Sequence, residues 1–205
     1  MTNWLHALKL TGNGVSLEPL TLSHADELEA ALAEGGIENL WHTLVPGPGE
    51  VQSYIADALA AQSCGAALPF LIRSSLSGAA LGSTRFCNID HANQRAEIGY
   101  TWLVKSARRT SVNSACKLLL LQHAFEERAA IAIEFRTHWH NRASRNAIAR
   151  LGAKQDGVLR QHRRDANGAY RDTVVFSILN SEWPSSKLGL EASLEALSSE
   201  SASTP

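Results

Sequence analysis

The segment from Lys105 to Thr110 carries three cations, Lys105, Arg108 and Arg109, and runs into a stretch that reads as a helix from Ser111 through the apolar block Leu118 to Leu121. The first N–H groups of a helix have no intrahelical partner, and the macrodipole places partial positive charge there. Arginines gathered at such a terminus make an anion site suited to phosphate. The same cations also fit a basic surface loop ahead of a core helix. Two further groups of residues invite a chemical reading. His138, His140 and His162 look like part of a metal set, but no Cys or carboxylate stands at ligand spacing, so no metal is expected. Arg160, Arg163 and Arg164 make a basic strand around His162 that fits either an anionic substrate or a solvated face. Arg171 and Asp172 read as members of local ion pairs.

The elements that must position these residues follow from periodicity. Ala96 to Val104 alternates as a strand, with Ile98, Tyr100, Trp102 and Val104 on one face and Glu97, Gly99, Thr101 and Leu103 on the other. Before it, Gly12-Asn13-Gly14 marks a turn between short alternating runs, a small hairpin or an entry strand, and Ser23 with Asp26 reads as a capping-box variant opening a helix to about Ala33. After the break Pro46-Gly47-Pro48-Gly49, a second helix is predicted from Glu50 to Ala61. The partly apolar connection from Trp41 to Gly49 could line a pocket. Leu68 to Arg73 and Ala80 to Asn88 read as strands that form an antiparallel meander with Ala96 to Val104. The helix from Ser111 runs to about Arg128, and Ala132 to Thr137 then returns as a strand, placed parallel by the crossover. A short helix, Asn141 to Leu151, ends at Gly152. Strands at about Gly157 to Arg163 and Tyr170 to Leu179 are joined across Asp165-Ala166-Asn167-Gly168. Past Trp183-Pro184 the composition shifts. The expectation is one domain over residues 1–185 and a tail over 186–205, weakly helical from Lys187 to Leu197 and disordered from Ser198 to Pro205.

With 205 residues the chain can bury a sizeable core, and its net charge of −1 gives no general attraction to nucleic acid or to an anionic membrane. No apolar run approaches the roughly 20 residues of a membrane span. The start MTNWLHALKLTGNG lacks the pattern of a signal peptide. Three scattered cysteines, Cys64, Cys87 and Cys116, fit a reducing cytoplasm.

The order β-α-α-β-β-β-α-β-α-β-β resembles the GNAT superfamily of N-acetyltransferases. The wording AEIGYTWL, KLLLLQHAFE, NRASRNAIARLGA, DGVLRQH and YRDTVVFSIL is similar to its RimJ/RimL-type branch, over roughly Val15 to Trp183. The resemblance implies an α/β (α+β) GNAT fold: a mixed central sheet of about seven strands, splayed between strands 4 and 5, with about four helices. It implies acetyl-CoA as co-substrate and transfer of its acetyl group to an amine, either a protein N-terminus or a small molecule. The alternative is a catalytically weak GNAT-fold protein that senses acyl-CoA or serves as an interaction module. The resemblance does not identify the acceptor, and a homodimer is a further expectation.

The resemblance also assigns residues. Trp102, Leu103 and Val104 would pair with the pantetheine arm. Arg108, Arg109, Thr110, Ser111, Val112 and Asn113 would hold the pyrophosphate. Ser111 and Asn113 stand where the superfamily pattern has small residues, and Arg109 where close relatives often have Gly. Asn141 would bond the pantetheine arm, or simply cap its helix. Glu97 would take the amine proton through water, or pair with Arg85 or Arg136. Ser144 would hydrogen-bond the departing sulfur, because the position of the family's usual acidic Tyr is Ile148 here. His162 is a second candidate base on the acceptor side.

Overall fold

The structure, a computed structural model, describes residues 8–35, 45–165 and 168–202. The core is one eight-stranded sheet in the order β1-β2-β3-β4-β5-β6-β8-β7. β1 (Leu10–Gly12) and β2 (Val15–Pro19) form the entry hairpin, which turns at Asn13 and Gly14 with φ of 49° and 78°. Such a turn needs two positive φ values, which Asn-Gly adopts readily. β3 (Ala67–Ser74), β4 (Ala80–Asp90) and β5 (Arg95–Leu103) continue the antiparallel meander. β6 (Ala132–His138) pairs parallel with β5, while β8 (Tyr170–Leu179) lies antiparallel between β6 and β7 (Lys154–Arg164). Two strands in the entry hairpin account for the eight against the expected seven.

Five helices accompany the sheet among the described residues: α1 (Ala25–Leu32), α2 (Val51–Ser63), α3 (Val112–Gln122), α4 (Arg142–Arg150) and α5 (Trp183–Ala202). Phe70, Phe86 and Phe135 are among the largest fully buried side chains of the core. Burying each stabilises the fold by roughly 1.5–3 kcal/mol. α3 supplies the apolar run Leu118 to Leu121 and continues into a widened π-helical turn, His123–Glu127. His123 is buried there, bonded to Glu127 at 2.9 Å and to Arg128 at 3.1 Å.

Three expectations need correction. α1 is not opened by Ser23 and Asp26. A single 3-10 turn, Leu22–His24, precedes it, and His24 Nδ1 accepts the Thr21 N–H at 3.2 Å. The C-terminal segment, expected as a weak helix from Lys187 to Leu197 with a disordered end, is helical as far as it is described, and residues 203–205 lie outside the described residues. α5 begins at Trp183 and runs to Ala202 as one helix. It is anchored on the α3 side: Trp183 stacks on Phe125 at 5.3 Å and donates to Glu126 at 2.9 Å, and Leu190 and Leu194 are buried. Third, the face assignment of β5 fails beyond Gly99. Arg85 pairs with Gly99 and Ser83 with Trp102, so β5 spends three steps where β4 spends two. Tyr100, at φ 51°, is the extra residue of a β-bulge. Cross-strand partners share a face, so Glu97, Gly99 and Trp102 lie on one side, and Ile98, Thr101 and Leu103 on the other. Of the connection Trp41 to Gly49 expected to line a pocket, residues 41–44 lie outside the described residues, as do Ala166 and Asn167 of the last hairpin, while Val45 does line the cavity between β5 and β6.

Among the described residues no helix is long and apolar enough to cross a membrane.

Candidate active site

β5 and β6 part company early. Their parallel register covers only Arg95, Ala96 and Glu97, opposite Ala132, Ile133 and Glu134. From Ile98 onward the β6 side of β5 has no strand partner among the described residues. The strands diverge around a cavity of about 470 Å³. Its walls come from β5, from the start of α3, from the start of α4, and from β6, β7 and β8.

The start of α3 forms the cationic wall. Ser111, its N-cap, makes no side-chain cap bond, which leaves first-turn N–H groups to outside acceptors. Thr110 partly serves in its place, with its hydroxyl 3.3 Å from the Val112 N–H. Arg108 is braced against β5 by Nε donating to the Leu103 carbonyl at 2.9 Å. Arg109 adopts φ 61°, a left-handed conformation that glycine takes without strain and arginine does not. Arg108, Arg109, Thr110 and Asn113 line the cavity. Ser111 lines a separate cleft beside α5, Trp102 and Val104 are buried in the core, and neither they nor Val112 reach the cavity. Leu103 does reach it.

Glu97 sits where the strands begin to part, 8% exposed. It is the one carboxylate lining the cavity among the described residues. Asn88 Nδ2 donates to its Oε2 at 2.7 Å, and Arg136 Nε lies 3.5 Å from the same oxygen. Burial pushes the Glu97 carboxyl above its ordinary value, while the Asn88 bond and the Arg136 charge work the other way. Arg85 is not its partner. Its guanidinium lies over the Tyr100 ring at 3.8 Å and the Tyr54 ring at 5.1 Å. The space beside Glu97 is tight: a Cβ at Gly99 would lie 3.1 Å from Glu97 Oε1 and 3.2 Å from Cys87 Sγ. Asn88, Tyr100 and Arg109 all line the cavity, and all have positive φ, of 48°, 51° and 61°. Strain of this kind gathers where a site over-determines its backbone.

On the opposite wall, Asn141 caps α4 by accepting the Ser144 N–H at 3.0 Å. Both residues line the cavity, and among the described residues the Ser144 hydroxyl takes no protein partner. Ile148 lines the same wall. His162, also in the lining, has Nδ1 3.2 Å from Thr173 Oγ1, and burial, then the charges of Arg163, Arg136 and Arg171, hold it below its ordinary value. His138 and His140 lie outside this cavity. His138 Nε2 is 3.3 Å from Asp165, and its Nδ1 accepts the His140 N–H at 3.0 Å. Among the described residues no three His, Cys, Asp or Glu are grouped to hold a metal.

Lys117 is the site residue that the periodicity conceals. It interrupts the apolar face of α3 and is 5% exposed, with Nζ 2.6 Å from Thr101 Oγ1 and 3.5 Å from Thr84 Oγ1. The two threonine hydroxyls bond each other at 2.7 Å. Burial pushes the Lys117 ammonium down to about 8. It thus ties α3 to β5 just past the bulge, on the cavity wall. The only signal in the sequence was a lone cation inside the run CKLLLL.

The mixed sheet, splayed beside a cationic helix start, has the architecture expected of the GNAT fold. The Acetyltransferase (GNAT) domain family matches residues 15–154, and the chain belongs to that family. It is 31% identical over 110 residues to the Bacillus subtilis (strain 168) protein named "Putative ribosomal N-acetyltransferase YdaF". That match covers 54% of this chain and spans 59% of the length of that relative. A GCN5-related N-acetyltransferase from Brucella melitensis has a similar structure, with a TM-score of 0.81 and 31% identity, covering 92% of this chain and 86% of that one. Mycobacterium smegmatis RimJ, solved in complex with CoA-disulfide, shares the fold, with a TM-score of 0.74, 24% identity and coverage of 93% and 96%. The residues present fit acetyl-CoA: an open strand edge can take an extended amide arm, and free helix N–H groups with Arg108 and Arg109 can take phosphates.

Proposed function

We propose that the protein is an acetyl-CoA-dependent N-acetyltransferase whose acceptor is a primary amine on a protein N-terminus or a small molecule. The single observation that carries the reading is the fork itself. The open edge of β5, the cationic start of α3 and the buried Glu97 line one cavity. The name of the Bacillus relative favours a protein acceptor. Three cysteines without a disulfide accord with a reducing, cytoplasmic setting.

Acetyl-CoA, when bound, supplies an acetyl thioester. The residues of this chain do the rest. Arg108, Arg109, Thr110 and Asn113 hold the phosphates, the first two by charge and all four from the start of α3. The open edge of β5 from Ile98 to Leu103 aligns the arm. Asn141 orients α4, and the Ser144 hydroxyl is available to donate to a departing thiolate. Glu97 accepts the proton of the attacking amine, directly or through one water. Its raised carboxyl brings it nearer the range where a base works at neutral pH. His162, kept neutral by its surroundings, is a second acceptor of that proton.

The test is acetyl transfer to a panel of N-terminal peptides and small amines, followed by thiol release. Turnover that falls by roughly 10²–10⁴ in Glu97→Gln, with acetyl-CoA affinity kept, supports the role of Glu97. Wild-type rates in that variant remove it as the base.

A further inference from the structure

The wall of the cavity away from α3 holds two arginines that make no ion pair among the described residues. Arg163 of β7 and Arg171 of β8 are direct cross-strand partners. Side chains so paired stand about 5 Å apart at Cβ, and like charges there repel. Both line the cavity. Among the described residues neither makes an ion pair, and Arg171 Nε is buried without a hydrogen-bond partner. Arg136 differs, since Glu134 at 2.9 Å and Glu97 at 3.5 Å answer its charge.

The chain arranges this pair deliberately. Between Leu159↔Thr173 and Arg163↔Arg171, β7 takes four steps where β8 takes two. The surplus is a bulge at Gln161, φ 49°. Asp172 holds it, accepting the Gln161 N–H at 2.8 Å and Arg160 Nε at 2.6 Å. Of the local ion pairs expected of Arg171 and Asp172, Asp172 makes one, with Arg160, while Arg171 makes none among the described residues and lines the cavity. Bulges beside active sites commonly re-aim a side chain, and here the outcome is Arg163 opposite Arg171. Burial and Arg163 both depress Arg171, with Asp165 opposing them. An unpartnered buried guanidinium N–H is costly unless a ligand supplies the acceptor. In a chain of net charge −1, gathering cations around a cavity with one carboxylate selects for anions.

We propose that Arg163 and Arg171 form the acceptor-specificity site, and that the acceptor amine carries a carboxylate within a few bonds, which the pair receives while Glu97 faces the amine. This rests on the acetyltransferase reading and adds the class of acceptor. The carboxylate could belong to acidic residues at the start of a peptide or to a free amino acid.

The experiment is calorimetric titration of the CoA-saturated protein with three probes: an amidated hexapeptide beginning Ser-Asp-Glu, its Ser-Asn-Gln counterpart, and free aspartate. The acidic peptide is expected to bind at least tenfold tighter than the neutral one if the source is a peptide. Aspartate is expected to bind and the peptides to fail if the source is a free amino acid. Either preference is expected to vanish in Arg163→Gln and in Arg171→Gln while CoA affinity is kept, and Arg163→Gln, at an exposed position, guards against a folding defect. Equal binding of both peptides, no binding of any probe, or a preference that survives both substitutions overturns the proposal. Loss of CoA binding by the unaltered protein would instead overturn the acetyltransferase reading on which it stands.

Discussion

Replacing Lys117 with Met should make the protein more stable and a poorer enzyme. Lys117 is buried, and burial brings its ammonium from an ordinary 10.5 down to about 8. Each pKa unit corresponds to about 1.4 kcal/mol, so keeping the charged form inside costs about 3 kcal/mol at neutral pH. The bond to Thr101 returns roughly 1 kcal/mol, and Thr84 still bonds Thr101 when the amine is gone. Met fills similar volume, so Lys117→Met should gain about 2 kcal/mol at pH 7. For a chain of this size that is a rise of roughly 4–8 °C in Tm. The sign with pH is fixed by linkage. Between about 8 and 10.5 the unfolded lysine holds a proton that the folded one has released, so the wild type gains stability with rising pH through that window. The advantage of the variant should be full below pH 8 and gone by about pH 10.5. Paired urea melts of the two proteins at pH 7, 9 and 10.5 read this directly, because other titrating groups cancel in the difference. Acetyl transfer should fall, since the tie that holds β5 past its bulge is lost. A variant less stable than the wild type at pH 7, by an amount that does not change with pH, would refute the reasoning.

Other perturbations probe the rest of the cavity. The acid limb of kcat/KM should follow Glu97, whose carboxyl lies above its ordinary 4.5: activity falls as pH drops through the raised value, and the limb should be absent from the residual rate of Glu97→Gln. Gly99→Ala places a methyl 3.1 Å from Glu97 Oε1, so turnover measured at saturating acetyl-CoA should drop more than the melting temperature does. Arg109→Gly relieves a left-handed backbone and should stabilise by about 1 kcal/mol in denaturant melts, whereas Arg109→Ala removes the same charge without that relief. If both bind acetyl-CoA equally more weakly, the charge matters and not the backbone. Ser144→Ala should leave acetyl-CoA affinity intact and slow thiol release in single-turnover assays, because Asn141 caps α4 through the Ser144 backbone and not its hydroxyl.

Much of the fold was legible because it is written in short-range chemistry. Asn13-Gly14 marked a turn that the structure resolves as a hairpin, Gly152 ended α4 at φ 88°, and the apolar run of α3 set the parallel crossover. What escaped the reading depends on non-local geometry. No residue type announces the bulge at Tyr100: a tyrosine at φ 51° reads as one more alternating position, and the faces of Thr101, Trp102 and Leu103 change as a result. Lys117 was hidden by its neighbours, since nothing along α3 reveals that Thr84 and Thr101 wait across the sheet. α5 was underestimated because its surface is Ser-rich. Its anchors, Leu190 and Leu194, are spaced i, i+4 and meet α3 only in the folded chain. Of the proposed cofactor residues, Leu103, Arg108, Arg109, Thr110, Asn113 and Asn141 converge on one cavity with Glu97 and Ser144. Trp102, Val104, Ser111 and Val112 do not: Trp102 and Val104 are buried in the core, and Ser111 lines the cleft beside α5.

The most direct measurement is calorimetric titration of the purified protein with acetyl-CoA, compared with CoA and repeated with Arg108→Ala. Saturable binding that weakens clearly in Arg108→Ala is the expected result, with Arg108 standing between the open end of β5 and the first turn of α3. No binding at millimolar ligand, or an affinity untouched by the substitution, would contradict the assignment of this cavity to acetyl-CoA.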